Sequence, residues 1–298
     1  MTYDVIVVGG SYAGISAAMQ IARGRQKVLV LDAGKRRNRF ASHAHGILGF
    51  DGVDPAKIAE LGREQLLAYP TVEWKLGEAA HAKGSIGQFE IALASGETLE
   101  AKRLVLATGV VDDLPEIPGM QELWGKRIFA CPYCHGYELG GRDLACLATS
   151  PFSSHHAAMV SGWGKTTYLT RGLFAPDDAA KALLAKRNVA VEDEAVTAVA
   201  PAEGNDVTIH FASGRRASFA GLFVASRTRV ASPLAAELGC AFDEFPGGTY
   251  VKTDPMKETT VPGVFACGDA AIAGGNVPMA IGEGSRAGAS AHMSLIFR

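Results

Sequence analysis

Between Val5 and Asp32 the 298-residue chain runs through a pattern that leaves few options for its fold. Val5-Ile6-Val7-Val8 is a short, continuous apolar run, suited to a parallel strand buried on both faces. Gly9-Gly10-Ser11-Tyr12-Ala13-Gly14 follows at once, and Ile15 to Ala22 continues at helical period with small residues on one face. A second apolar strand, Lys27 to Leu31, closes on Asp32, 18 residues beyond Gly14. Strand, glycine-rich turn, helix, strand and acid make a unit that rests a pyrophosphate on a helix N-terminus. Its carboxylate accepts from ribose hydroxyls. Gly9, Gly10, Ser11, Ala13, Gly14 and Asp32 are therefore candidate dinucleotide contacts. Ser11 departs from the GxGxxG pattern where backbone approaches phosphate most closely, and the plain alternative is a glycine turn that only packs helix on strand.

Two later segments end strands in small-residue turns. Leu104-Val105-Leu106 leads into Ala107-Thr108-Gly109, and Val264-Phe265-Ala266-Cys267 leads into Gly268-Asp269 and a helix-like tail. Between them, the prolines of Asp112 to Gly119 predict an extended crossover. The charge balance, 29 basic against 31 acidic residues with no block of either, recommends neither nucleic acid nor an anionic membrane as partner. No apolar stretch approaches the roughly 20 residues of a membrane span, and the N-terminus reads as a buried strand rather than a signal peptide. Five cysteines, only two of them closely spaced, do not form a secreted disulfide framework. The expected compartment is the cytoplasm, where a CxxC is catalytic or metal-binding.

That CxxC is Cys131-Pro132-Tyr133-Cys134, followed by His135. Two cysteines three apart can close a small disulfide ring. A helix starting there would stabilise a thiolate, the form that attacks disulfides, through its N-terminal dipole. An imidazole at His135 titrates near neutrality and can take a proton from an incoming thiol. The alternative is half of a zinc site completed by His135, His155, His156 or Cys146, although zinc usually has a second pair at recognisable spacing. No metal is expected. Cys146, Cys240 and Cys267 read as small packing residues. His43 and His45 lie in the loop after Asp32, where a single histidine is more often a surface or core residue than a proton acceptor.

Taken in order, the turns at Gly9–Gly14, Ala107–Gly109 and Gly268–Asp269 resemble the three FAD fingerprints of the pyridine-nucleotide disulfide oxidoreductase superfamily. With a CxxC in the second domain, the chain resembles low-molecular-weight thioredoxin reductases over essentially its full length. The resemblance implies an α/β fold of two Rossmann-type three-layer domains, the second inserted into the first. An FAD-binding domain would span 1–113 and 245–298, and a CxxC-bearing domain 114–244. It also implies FAD as cofactor, Asp269 bonding its ribityl or phosphate part, Cys134 facing the flavin, Cys131 exchanging with substrate, and a homodimer.

The resemblance fails where a second dinucleotide fingerprint should bind NADPH. Leu147-Ala148-Thr149-Ser150-Pro151-Phe152-Ser153 has no glycine, its Cβ atoms and Pro151 crowd the turn, and Ser153 or Ser154 is left as a helix cap. Only Arg171, read as a solvated side chain, stands where reductases offer an arginine cluster. The CPYCH motif, Asp32-Ala33-Gly34 and Asn38-Arg39-Phe40 are instead similar to the FAD-dependent dithiol oxidases of gliotoxin- and holomycin-type disulfides. That likeness implies oxidation of a small-molecule dithiol or protein thiol and oxygen as acceptor; in the expected cycle His135 or His45 takes the thiol proton. Two alternatives stay open. One is a disulfide reductase fed by ferredoxin, another flavin or an atypical NADPH site; the other is a flavin and CxxC redox sensor without turnover.

Overall fold

The computed structural model describes residues 2–298. They form two compact units: residues up to Arg39, Ile47–Val111 and Thr228–Arg298 in the first, Phe40–Gly46 and Asp112–Arg227 in the second. The expected α/β architecture of two Rossmann-type units, the second carried within the run of the first, is what the chain adopts.

In the first unit, strand Thr2–Val8 lies between Val28–Asp32 and Thr98–Leu106, parallel to both. Val72–Leu76 extends the sheet beyond Val28–Asp32. Thr98–Leu106 pairs antiparallel with Gln88–Leu93 along its first half and parallel with Val264–Ala266 along its second. The apolar run after Asp4 is buried on both faces, as a central parallel strand must be. Val5 and Val7 enter the core under helices Tyr12–Arg23 and Val277–Phe297, where Ala17, Ala18, Ala287 and Ala291 allow close approach. Ile6 and Val8 enter the core on the other face, with Phe89, Ile91 and Leu104. The order puts the first strand at a topological switch point, the place where open α/β sheets bind ligands.

The chain rejoins this unit at Thr228, earlier than the boundary of 245 drawn from the sequence. Residues 228–244 belong here because Leu234, Ala235 and Cys240 are buried in its core. Glu237 also accepts from the Ala82 amide at 2.9 Å and pairs with His81 at 2.9 Å. Burial keeps the Cys240, Cys267 and, in the second unit, Cys146 thiols above their ordinary range, with Cys267 pushed up to about 12.

The second unit has a parallel sheet in the order Ala190–Glu192, Gly164–Leu169, Gly141–Leu147, Gly221–Val224, Ile128–Phe129. Helices Ser153–Val160 and Asp178–Lys186 contribute Ala157, Ala158 and Leu184 to the core on one face. The antiparallel strands Val196–Pro201, Val207–Phe211 and Arg216–Phe219 cover the other with Val199, Val207, Ile209 and Phe211. No helix among the described residues is long and apolar enough to cross a membrane.

Arg103 ties the last helix of the first unit to its sheet. It is 3% exposed and donates to the Ser294 hydroxyl, the Ser294 carbonyl (2.8 Å) and the Arg298 carbonyl (2.8 Å). Replacing Arg103 with Ala leaves helix-end carbonyls without their charged donor. We expect a loss of about 3 kcal/mol, read as a lower urea midpoint at an unchanged m-value.

Candidate functional site

The turn after the first strand is shaped by its glycines. Gly9 has φ +117°, and a Cβ there would strike the Ala107 carbonyl; a Cβ on Gly14 would strike the Gly9 carbonyl. These contacts lock the turn against the end of strand Thr98–Leu106 and bring Ala107 beside Gly9. Ser11 occupies extended backbone (φ −100°, ψ −167°), so the position needs no glycine, and its departure from the motif introduces no strain. The helix that follows has no side-chain cap and no acidic residue in its first turn. Amides at such an end are a ready site for an anion.

The other fingerprint residues gather at this edge of the sheet. A Cβ on Gly10 would meet Asp32 and Trp74, and one on Gly268 would meet the Ala13 side chain at 2.8 Å. Asp32 accepts from the Gly34 amide at 2.9 Å. Thr108 and Gly109 follow Ala107 in the turn, where Gly109 adopts φ +68° and accepts from the Ala231 amide at 3.1 Å. Asp269, in the short turn Gly268–Ala270, pairs with Arg37 at 2.8 Å. Tyr12 donates to the Pro55 carbonyl at 2.8 Å and receives the Asn38 amide at 3.1 Å.

Arg36 Nε, Asn38 Oδ1 and Trp74 Nε1 are buried without a hydrogen-bond partner among the described residues. Buried polar atoms rarely stay unpaired, and together with the uncapped helix they fit a dinucleotide laid along this edge. The fingerprints by themselves do not point to Arg37, Tyr12 or Trp74. No spacing rule ties Arg37 to a carboxylate 232 positions away.

The equivalent turn of the second unit is closed from within. The Ser153 hydroxyl, fully buried, accepts from the backbone amides of Thr149 at 3.0 Å and Ser150 at 3.1 Å. Thr149 Oγ1 donates to the Ala225 carbonyl at 2.6 Å, joining this turn to the end of the neighbouring strand. Ser153 thus caps the turn itself rather than the helix N-terminus expected from the sequence. Arg171 is half-buried rather than solvated. It takes φ +60°, lies 5.9 Å from the Phe174 ring centroid, and leaves Nε without a partner among the described residues.

The redox motif follows strand Ile128–Phe129. Cys131 is the N-cap of helix Pro132–His135, with Pro132 at the first helical position, where its missing N–H costs nothing. Both cysteines are partly buried. The helix is only four residues long, so the dipole assistance expected for a thiolate is confined to one turn. Tyr133, 71% exposed, meets the Trp163 ring edge-on at 4.9 Å. His135 stacks on Phe129 at 4.4 Å. Burial, and secondarily the charge of His45, pushes its imidazole down to about 4.

In the core of the second unit, Cys146 lies 3.6 Å from His156 Nδ1. Burial pushes His156 down to about 4, against a hydrogen bond to the Ala130 backbone that acts the other way. No group of three or more His, Cys, Asp or Glu among the described residues could hold a metal ion.

His45 is not in the first unit, where its sequence position after Asp32 would put it. Phe40–Gly46 packs with the second unit: Phe40 sits against Gly125, and His45 Nδ1 lies 3.4 Å from Glu138 Oε1. Glu138 also lines a cavity of about 260 Å³ with Lys126, Arg127, Phe129, His135 and Arg142.

Residues 3–288 match the family of pyridine nucleotide-disulphide oxidoreductases, and the chain belongs to that family. It is an oxidoreductase of the disulfide class, and the resemblance drawn from its motifs holds. Among curated relatives it is 31% identical to the "Thioredoxin reductase tcpT" of Claviceps purpurea, across 98% of this chain and 94% of that one. Among solved structures it matches an oxidoreductase from Agrobacterium tumefaciens at 48% identity and a TM-score of 0.95, covering 100% of this chain and 99% of that one. The crystal structure of HlmI matches at 32% identity and a TM-score of 0.91, covering 99% and 93%.

Two outcomes are expected from this geometry. Ser153→Ala strips two backbone amides of their acceptor and should cost about 1–3 kcal/mol, seen as a lower melting temperature. Histidine ordinarily titrates near 6.5, whereas His135 and His156 are held near 4. As pH falls the unfolded chain takes up protons first, so the stability they contribute is complete above about pH 6.5 and is lost as pH drops through about 4. Urea midpoints should decline across that window, and His135→Gln should flatten the decline; an equal slope in the variant would refute the assignment.

Proposed function

We propose that this protein is an FAD-dependent thiol oxidase that closes a dithiol into a disulfide through Cys131 and Cys134. It works without NADPH and passes the electrons to oxygen. The observation that carries this reading is the Ser153 hydroxyl lodged on the amides of Thr149 and Ser150. A nucleotide pyrophosphate in the second unit would compete for those donors. The first unit, with the same strand-turn-helix order, leaves its helix end uncapped and holds Gly9, Gly10, Ser11, Ala13, Gly14, Asp32, Ala107, Thr108, Gly109, Gly268 and Asp269 for FAD.

The chain's own groups carry the thiol chemistry. A substrate thiol gives its proton to an imidazole and its sulfur bonds Cys131 Sγ. The Cys131–Cys134 bond breaks, and its electron pair stays on Cys134. The second substrate thiol then attacks the mixed disulfide and releases Cys131, so the substrate is oxidised by two electrons and the pair is reduced by two. FAD, when bound, supplies the acceptor that returns the pair to the disulfide and hands both electrons to oxygen, giving hydrogen peroxide. His135, held neutral by burial and stacked on Phe129, is a weak base for this step, and His45 is the other histidine named for it. On this reading the substrate is a small-molecule dithiol or a protein thiol, and the enzyme is a cytoplasmic homodimer.

A second reading, a pyridine-nucleotide-dependent disulfide reductase, is favoured by the family description and by the thioredoxin reductase names of relatives. One experiment separates the two. FAD-loaded protein is mixed anaerobically with NADPH and, separately, with dithiothreitol, and air is then admitted. Bleaching by the dithiol alone, with recovery and peroxide in air, is the expected result; rapid bleaching by NADPH would sink the oxidase reading. Cys134→Ser should abolish dithiol oxidation while retaining flavin absorbance.

A further inference from the structure

We infer that His156 is a positioning residue for the redox pair: set between Cys146 and Phe223, it braces the backbone at Ala130, from which Cys131 departs. The inference deepens the proposed function and rests on one part of it, that Cys131 and Cys134 interconvert between dithiol and disulfide. Cys146 and His156 are two of the residues that the zinc alternative singled out, and among the described residues no group of three could hold a metal ion.

The brace is built on one register row of the second unit's sheet. Cys146 lies opposite Tyr168 on one side and Phe223 on the other, and Phe223 lies opposite Phe129. In-register neighbours on parallel strands project to one face, here the face that helix Ser153–Val160 covers with Ala157 and Val160. Tyr168, Cys146 and Phe223 are fully buried there. His156, on that helix, meets the row twice. Its Nδ1 stands 3.6 Å from Cys146 Sγ, and its ring is edge-on to Phe223 at 6.3 Å. Phe223 in turn meets Phe129 at 5.9 Å, and Phe129 stacks on His135 at 4.4 Å. A line of rings thus runs from His156 to His135, the residue after Cys134.

His156 also hydrogen-bonds the backbone of Ala130. Ala130 stands between Phe129, the last residue of its strand, and Cys131, the N-cap of the redox helix. The two contacts use different nitrogens. Burial keeps the Cys146 thiol protonated and holds the imidazole down at about 4, so the ring is neutral. The Cys146 S–H donates to Nδ1, which leaves Nε2–H to donate to the Ala130 carbonyl. The redox helix is only four residues long, so the anchor at its entry governs the freedom of Cys131.

The consequence falls on the disulfide. Closing Cys131 on Cys134 removes two electrons and two protons from the pair and demands a narrow geometry. The dithiol tolerates a looser backbone. A brace at Ala130 therefore stabilises the disulfide more than the dithiol, and losing it makes the pair easier to reduce.

The test uses the full-length, FAD-loaded protein, equilibrated anaerobically in graded ratios of reduced to oxidised dithiothreitol. Dithiothreitol gives two electrons and two protons to the pair and closes its own disulfide ring. Acid quenching and alkylation of thiols, read by peptide mass, give the ratio at which half of the Cys131–Cys134 pair is reduced. His156→Leu keeps bulk and loses both hydrogen bonds, and its half-reduction ratio should fall about three- to ten-fold. His156→Gln places an N–H close to the position of Nε2 and should return to within about two-fold of wild type. A general loss of stability would lower the melting temperature of both variants without producing this split.

An unmoved ratio in His156→Leu, or equal shifts in the Leu and Gln variants, would overturn the inference. Should His156→Leu lose its FAD, Cys146→Ser and Cys146→Ala decide in its place. Ser still donates to Nδ1 and should match wild type, whereas Ala should lower the ratio about two-fold; equal ratios would overturn the brace. A wild-type pair that never closes a disulfide in these buffers would refute the proposed function, whereas a pair that titrates but ignores His156 would refute only the brace.

Discussion

Every strand-to-helix turn in a Rossmann-type unit leaves backbone amides that must find an acceptor, and this molecule meets that constraint twice in opposite ways. In the first unit helix Tyr12–Arg23 has neither a capping side chain nor an acid in its first turn, so its amides stay available to an anion. In the second unit a single buried hydroxyl, Ser153, takes the amides of Thr149 and Ser150. The rest follows from that difference. One turn is a cradle ringed by Asp32, Ala107, Gly268 and the Arg37–Asp269 pair; the other is a packed corner stapled to the next strand by Thr149 and Ala225.

On the oxidase reading, a nucleotide site is lost without the fold that held it. The second unit keeps its parallel sheet, its switch point beside Gly141–Leu147 and a buried core on each face. The change is local: a hydroxyl where a phosphate oxygen would sit, and a half-buried Arg171 over Phe174 in place of an arginine cluster. Such a unit can serve as a rigid mount for the short helix of Cys131 and Cys134. Pro132 starts that helix, and Phe129 and Trp163 buttress it through His135 and Tyr133.

On the oxidase reading, the two histidines named as proton acceptors are of unequal character. His135 is next to Cys134 in sequence, but burial holds it neutral well below the pH of ordinary thiol chemistry. His45 is distant in sequence, less enclosed, and set beside a carboxylate. On that reading, adjacency in sequence favours a histidine that burial makes a weak base. A group stacked on Phe129 loses solvent, and solvation is what lets an imidazole hold a charge.

Much of the molecule is legible in its amino-acid sequence. The apolar run Val5–Val8, the spacing to Asp32, the small-residue turns at Ala107 and Gly268 and the lone CxxC depend on local chain geometry: strand burial, turn sterics and ring closure. Those are properties of neighbours, and the sequence determines them by itself. Tertiary structure alone decided the rest. It took residues 228–244 into the first unit through the burial of Leu234 and Cys240, carried His45 to Glu138, paired Arg37 with Asp269, and turned Ser153 inward onto two amides. Each of these joins groups whose meeting depends on how whole elements pack, and neither residue identity nor spacing encodes a partner that only folding brings within reach.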